Sequence, residues 1–278
     1  MGRLYPRMRE RPSEFRINYD APLADGLVFA GLGGHGCVGS MVYPDSSVYN
    51  RRNKLVNLGA DSWNWVSELR RWAIDFPGIN GNRIDILGTE GIANGWTTIT
   101  LAAWEYHPDV KDGSANPKII GNGFTSPISL FGGAYGSELF LYVNNAHIVD
   151  APIRRGKWWH VVGMLDGSYA RVYTNGTEKN STAFTAQLNS TTSPFALGDV
   201  PLGVGAIRPW LGLLTDGMIW SRALTATEVA ALADPNNVDL RVGGVPLILP
   251  PRRRFWPVVS EQAIPKMVPW HLFQQVSA

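Results

Sequence analysis

Cysteine is almost absent from this chain: Cys37 is the only one in 278 residues. A single thiol leaves no intrachain disulfide and excludes a zinc site built on cysteines. The side chain itself reads as a small hydrophobe. An excess of charge is missing too. The 25 Lys and Arg against 23 Asp and Glu leave a formal net charge of +2, too small a surplus to point to a nucleic-acid partner. No apolar run is long enough to cross a bilayer as a helix, so no membrane insertion is expected. The stretch Met1 to Asp20 holds no apolar segment of the kind a secretory signal needs, and synthesis without export is the expectation.

Catalytic signatures are missing as well. The chain has no Gly-x-Ser-x-Gly elbow, no phosphate-binding loop and no His-Glu-x-x-His pair. Glu105, Asp109, Glu138, Asp150 and Asp166 stand apart from one another. No strand therefore aims two carboxyls into one cleft, as glycoside hydrolysis requires. No catalytic residue and no cofactor are assigned, and the chain is expected not to be an enzyme.

What is present describes a folded protein rich in turns. Apolar residues make up 45% and charged residues 17%, with 30 Gly and 19 Pro, a balance that supports a sizeable core. The most informative stretch is Lys157 to Glu178. Trp158 to Leu165 is apolar with β-branched valines, too short for a typical helix. Asp166-Gly167 breaks it, Tyr169 to Thr174 returns as a second strand, and Asn175-Gly176 marks a second turn. This predicts an antiparallel meander. Within the second strand pair's upstream neighbours, Leu139, Leu141 and Val143 share one face, while Phe140 and Tyr142 share the other. Short strands are also read at Thr98 to Trp104, Lys118 to Gly121, Ile128 to Phe131, Glu138 to Asn144 and His147 to Val149. Ala183 to Val200 is read as another strand pair, and Ala60 to Arg71 as a helical turn or loop. Thr225 with Glu228 forms a capping box that opens a helix through about Leu232.

These blocks carry a family resemblance. Trp158-x-His160-Val161, Asp166-Gly167 and Val172-Tyr173-x-Asn175-Gly176 look like the centre of the laminin-G-like, concanavalin A-like jelly-roll family. Leu211 to Leu224 with the capped helix resembles that family's closing strand and terminal helix. Trp72 to Ile86 and Trp96 to Trp104 resemble two of its earlier strands. The resemblance implies an all-β fold: an antiparallel jelly-roll sandwich at 25–239, with extended arms at 1–24 and 240–278. It also implies calcium candidates. Asp45 lies in Asp45-Ser46-Ser47-Val48-Tyr49-Asn50, similar to the family's Asp-Ser-Ser-Gly-x-Asn turn, and Asp216 falls where relatives carry acidic ligands. Only one carboxylate of the usual pair is kept there, and calcium needs several oxygens. His160, inside an apolar strand, reads as a structural histidine, and Trp104, Trp158 and Trp220 as core.

Two features bear on partners. Eleven Trp invite sugar stacking, and Trp63, Trp65, Trp96 and Trp210 are the candidates not claimed by the family's strands. The C-terminal arm is rich in Pro and aromatics instead of being polar, and Arg252, Arg253, Arg254, Phe255, Trp256, Trp270 and Phe273 are its candidate partner-binding residues. Its run Pro250 to Trp256 resembles the ends of laminin-G-like proteins of tailed phages and environmental bacteria. The first expectation is thus a structural virion protein of a tailed phage, a capsid decoration or tail component. It would be made in the host cytoplasm, dock on other virion proteins and form homo-oligomers. The alternative is a carbohydrate-binding module at a cell surface or in the extracellular space, recognising a glycan.

Overall fold

The computed structural model describes residues 17–33, 42–69, 71–109, 117–124, 127–132, 138–201 and 208–235. The chain divides into two units, Met1–Leu247 and Ile248–Ala278, and all the described residues belong to the first. Cys37, most of the N-terminal arm and the whole C-terminal arm from 240 lie outside the described residues.

The strands run in the order β1 (Leu27–Gly31), β2 (Val42–Pro44), β3 (Arg52–Val56), β4 (Trp63–Val66), β5 (Arg71–Pro77), β6 (Arg83–Ile86) and β7 (Thr98–Tyr106). They continue as β8 (Lys118–Gly121), β9 (Ile128–Gly132), β10 (Glu138–Val143), β11 (Ala146–Pro152), β12 (Trp158–Asp166) and β13 (Tyr169–Thr174). The last are β14 (Thr177–Ala183), β15 (Phe195–Leu197) and β16 (Leu211–Trp220), before the helix α1 (Ala226–Leu232). Among the described residues all pairings are antiparallel and give two 8-stranded sheets. The first has the order β14-β13-β12-β7-β16-β5-β4 with β1 also on β16, and the second has β11-β10-β9-β8-β15-β6-β3-β2. The expected all-β jelly-roll sandwich is the observed architecture.

Period-two alternation sets which residues meet between the sheets. Ile99, Leu101 and Ala103 of β7 and Val161 and Leu165 of β12 join Ile128, Leu130, Leu139, Leu141 and Val143 of the second sheet in one buried core. The sheets approach so closely at Gly163 that an added Cβ would lie 2.8 Å from Leu141 Cδ1 and 2.9 Å from Leu130 Cδ1. The meander follows the turn chemistry. Asp166 Oδ1 accepts the N–H groups of Ser168 at 2.9 Å and Tyr169 at 2.7 Å. Asn175 and Gly176 both have positive φ, 48° and 78°, as a two-residue hairpin turn with the right twist demands.

β16 holds the first sheet together. It pairs with β7 on one side and, on the other, with β5 and then β1. At that changeover Asp216 has φ 49°, and its buried carboxylate accepts the Gly33 N–H at 2.7 Å and pairs with Arg71. Arg71 also donates to the Pro235 carbonyl at 2.7 Å, tying the segment after α1 to this point. The capping box forms as expected, with Thr225 and Glu228 each accepting the other's backbone N–H.

Three readings are corrected. Ala60 to Arg71 contains a strand, β4, after one short helical turn at Ala60–Ser62, because Trp63-Asn64-Trp65-Val66 pairs with β5. Ala183 to Val200 holds only the start-to-end of β14's last residue and β15, not a strand pair. Trp158 is half-buried at the rim of a small cluster with Trp104 and is not core.

Candidate functional site

The two calcium candidates are each occupied by an arginine. Asp45 Oδ1 accepts the N–H groups of Ala30 and Ser47 at 3.2 and 2.9 Å, and Oδ2 pairs with Arg51 at 3.0 Å. Asp216 is paired with Arg71 and with the Gly33 amide. Carboxylates already facing guanidinium and N–H donors do not fit a cation, which needs several converging oxygens. Among the described residues no group of three or more His, Cys, Asp or Glu is placed to hold a metal ion.

The tryptophan candidates divide by burial. Trp210 is 0% and Trp63 4% exposed, so neither can offer a ring face to a sugar. Trp210 packs edge-on against His107, and Trp63 stacks on Tyr43 with ring planes 13° apart. An indole buries so much apolar area that the core takes it whenever the strand register allows. Trp96 is half-buried against the core, its carbonyl accepting the Leu188 N–H at 2.8 Å. Trp65 is exposed at the sandwich edge, with Trp72 edge-on at 5.6 Å. The structure does not bring the four together. Arg252, Arg253, Arg254, Phe255, Trp256, Trp270 and Phe273 lie outside the described residues.

A different set of rings does converge, on the outer face of the second sheet. Since Leu139, Leu141 and Val143 face the core, alternation turns Phe140 and Tyr142 outward. Register then places His147 of β11 opposite Tyr142, and Phe131 of β9 opposite Phe140. Tyr142 and His147 stack at 5.3 Å with planes 25° apart, and Phe140 meets His147 edge-on at 4.9 Å. Phe131 stands edge-on to both Tyr142 and Phe124, at 5.5 and 6.0 Å. The guanidinium of Arg208 lies 4.6 Å over the Phe124 ring. His147 is exposed and Tyr142, Phe124 and Arg208 are half-buried, while Phe131 and Phe140 are buried between them, so only the two ends can meet a ligand. The row thus crosses three adjacent strands and reaches solvent at both ends.

Several charges on this face are held in place, although Glu138, outward on β10 in line with Phe140 and Tyr142, is exposed. Arg83 grips Asp85 through two bonds, at 2.7 and 3.1 Å. Lys118 is fully buried beside Phe131, donating to the Gly123 carbonyl at 2.8 Å. Burial lowers its pKa to about 7, opposed by the nearby Asp199 and Asp85 carboxylates. The Asp199 carboxylate is itself committed to the amides of Gly81, Val200 and Arg208.

Two further buried titratable groups lie on the first sheet. Glu105 continues the inward-facing row Ile99, Leu101, Ala103 on β7, and burial pushes its carboxyl up to about 8. Its Oε2 has no hydrogen-bond partner. His160 is held down at about 3 by burial and then by the Arg71 charge, so it is a neutral ring packed on Trp104. The alternation Ile99-x-Leu101-x-Ala103-x-Glu105 was the sequence signal for the first. Nothing in the sequence marked Lys118 or Arg208.

No curated protein sequence matches this chain. Residues 86–230, just over half of it, match the sequence model of the concanavalin A-like lectin/glucanases superfamily. Among solved structures, the binding domain of Paraclostridial mosquitocidal protein 1 superposes with a TM-score of 0.57 at 17% identity, over 76% of this chain and 52% of that one. The binding domain of botulinum neurotoxin DC, solved with rat synaptotagmin II, gives 0.54 at 13% identity over 76% and 52%. Domain 4 of AbnA, an extracellular GH43 arabinanase from Geobacillus stearothermophilus solved with arabinotriose, gives 0.53 at 17% over 80% and 100%. The chain therefore spans about half the length of the two toxin domains and the whole of the arabinanase domain. At such identities the likeness is one of fold.

Proposed function

Because the chain belongs to the concanavalin A-like lectin/glucanase superfamily, we propose that it is a non-catalytic glycan-binding module that uses the outer face of its second sheet. The observation carrying this is the row of rings from Phe124 to His147, with Tyr142 and His147 stacked in nearly parallel planes at its accessible end. A pyranose or furanose offers an apolar face for such rings and hydroxyls for the polar groups beside them. One of the fold neighbours was solved with arabinotriose, which supports the same ligand class.

The non-catalytic part of the reading is supported by the commitment of two of this face's carboxylates, which leaves the exposed Glu138 without either of them as a free second carboxylate. Asp85 is gripped by Arg83, and Asp150 accepts the Asn180 side-chain amide at 3.2 Å. A glycan-binding module would act at a cell surface or in the extracellular space. The virion reading rests on the arms, whose aromatics other than Tyr19 lie outside the described residues.

The test is calorimetric titration of the full chain with a panel of neutral and acidic oligosaccharides, arabinotriose among them. At least one is expected to bind, and Tyr142→Ala should weaken it about tenfold or more, some 1.4 kcal/mol. Absence of binding across the panel, or unchanged binding by the variant, would overturn the proposal.

A further inference from the structure

Of the seven large hydrophobic side chains exposed among the described residues, four gather at one corner of the sandwich: Tyr19, Val48, Tyr49 and Leu87, at 49%, 62%, 53% and 45%. This corner is separate from the ring row of the second sheet. The Tyr19 hydroxyl donates to the Ser46 carbonyl at 3.3 Å, which brings it onto the turn that presents Val48 and Tyr49. Leu87 is fixed alongside, its N–H donating to Asn53 Oδ1 at 3.1 Å, and a Cβ on the next residue, Gly88, would lie 3.5 Å from Arg51 Nε.

The turn beneath these side chains is fully built. Asp45 binds the Ala30 and Ser47 amides and the Arg51 guanidinium, and Arg51 also donates to the Val28 carbonyl at 2.6 Å. The Arg51 guanidinium sits 4.1 Å from the centre of the Tyr49 ring. It backs one face of that ring and leaves the other toward solvent. Its charge is neutralised by Asp45, so the platform is uncharged. An apolar tip held this rigidly in water has already met the ordering cost that binding would otherwise impose, and exposed patches of this kind mark interaction sites.

We propose that this corner is a second saccharide site, stacking one neutral sugar ring on Tyr49. Two observations choose the occupant. Four side chains match the footprint of one or two sugar rings, whereas a standard protein interface engages about 20–30 residues a side. Both rings are exposed tyrosines, so hydroxyls rim the apolar surface. Tyrosine hydroxyls beside apolar ring faces suit a ring with a C–H face and a hydroxyl edge better than an apolar peptide. The inference shares its ligand class with the proposed function but not its location, and two sites on one chain would raise avidity for a polymeric glycan.

The experiment is an amide NMR titration of the full chain with neutral trisaccharides, arabinotriose first. Saturable shifts are expected at Ser47 to Arg51, and Tyr49→Ala should weaken them about tenfold or more. Tyr49→Phe keeps the stacking ring and should retain them, and Tyr142→Ala should leave them unchanged. Shifts confined to the Tyr142 face would overturn the second site and leave the proposed function standing. No shift at either place would overturn the second site, while the proposed function would then be decided by the acidic members of the panel. A dimer dissociated by Tyr49→Ala, with no saccharide response at the turn, would give the corner to a second copy of the chain and overturn the inference.

Discussion

The two outer faces of the sandwich come from the same strand alternation and have opposite fates. On the first sheet the side chains turned away from the core are Ala102, Val162, Met164, Tyr173, Met218 and Trp220, and Leu23 together with Val229 and Leu232 of α1 closes over them. On the second sheet the matching positions hold Phe131, Phe140, Tyr142 and His147 with Lys118, Arg83 and Asp85. The first face is a second core. The second is a row of rings buried at its middle, at Phe131 and Phe140, and open to solvent at its ends, at His147 and at the half-buried Tyr142 and Phe124. An apolar outward row thus reads as packing, and an aromatic one mixed with polar groups as recognition.

The comparison breaks most visibly at Trp220. It is fully buried on the first face, and its Nε1 donates to the Leu23 carbonyl at 2.7 Å. Trp220→Ala should cost about 3–5 kcal/mol, read as a lower urea midpoint. An unchanged midpoint would mean the first face is not core.

Arg71→Met is next. It strands the buried Asp216 carboxylate where β16 changes partners, at a cost of about 3 kcal/mol. Arg71→Met with Asp216→Asn should recover part of this loss, because the uncompensated charge is gone. If the double variant is no better than the single one, the charge is not what the site stabilises.

Glu105 tests the inner surface against both faces. Its carboxyl sits at about 8 in the fold against an ordinary 4.5. Below pH 4.5 it is protonated in both states and costs nothing. As pH rises through 8, the unfolded chain gives up its proton first, so stability is lost across that window. Glu105→Gln should match the wild type at pH 4 and exceed it at pH 7 by on the order of 1–3 kcal/mol. Parallel stability curves for the two proteins would contradict this.

Tyr142→Ala has the smallest expected effect on folding. A half-buried ring on the second face should change stability by about 1 kcal/mol or less, while removing its share of glycan affinity. A large loss of stability would place Tyr142 with Trp220 as packing.

Much of the fold was legible because turn chemistry is local. Asp166-Gly167, Asn175-Gly176 and the Thr225/Glu228 box act through neighbouring residues, and each forms as read. The outward pair Phe140 and Tyr142 was legible for the same reason, from alternation within one strand. What escaped depends on partners far away in sequence. Trp63 and Trp65 share one face of β4, yet Trp63 is buried on Tyr43 while Trp65, opposite Trp72, is exposed. Trp210 looked free because its partner, His107, is a hundred residues distant. Lys118 and Arg208 became part of the ring row only through Phe131 and Phe124, which a single strand's pattern does not show.

The most direct test of the contrast between the faces is hydrogen–deuterium exchange of the full chain with and without a bound oligosaccharide from the panel. Added protection is predicted on β9, β10 and β11 around Phe131, Tyr142 and His147, with α1 and the first sheet's outer strands unchanged. Protection centred on α1 and β13, with β10 and β11 unaffected, would contradict the account.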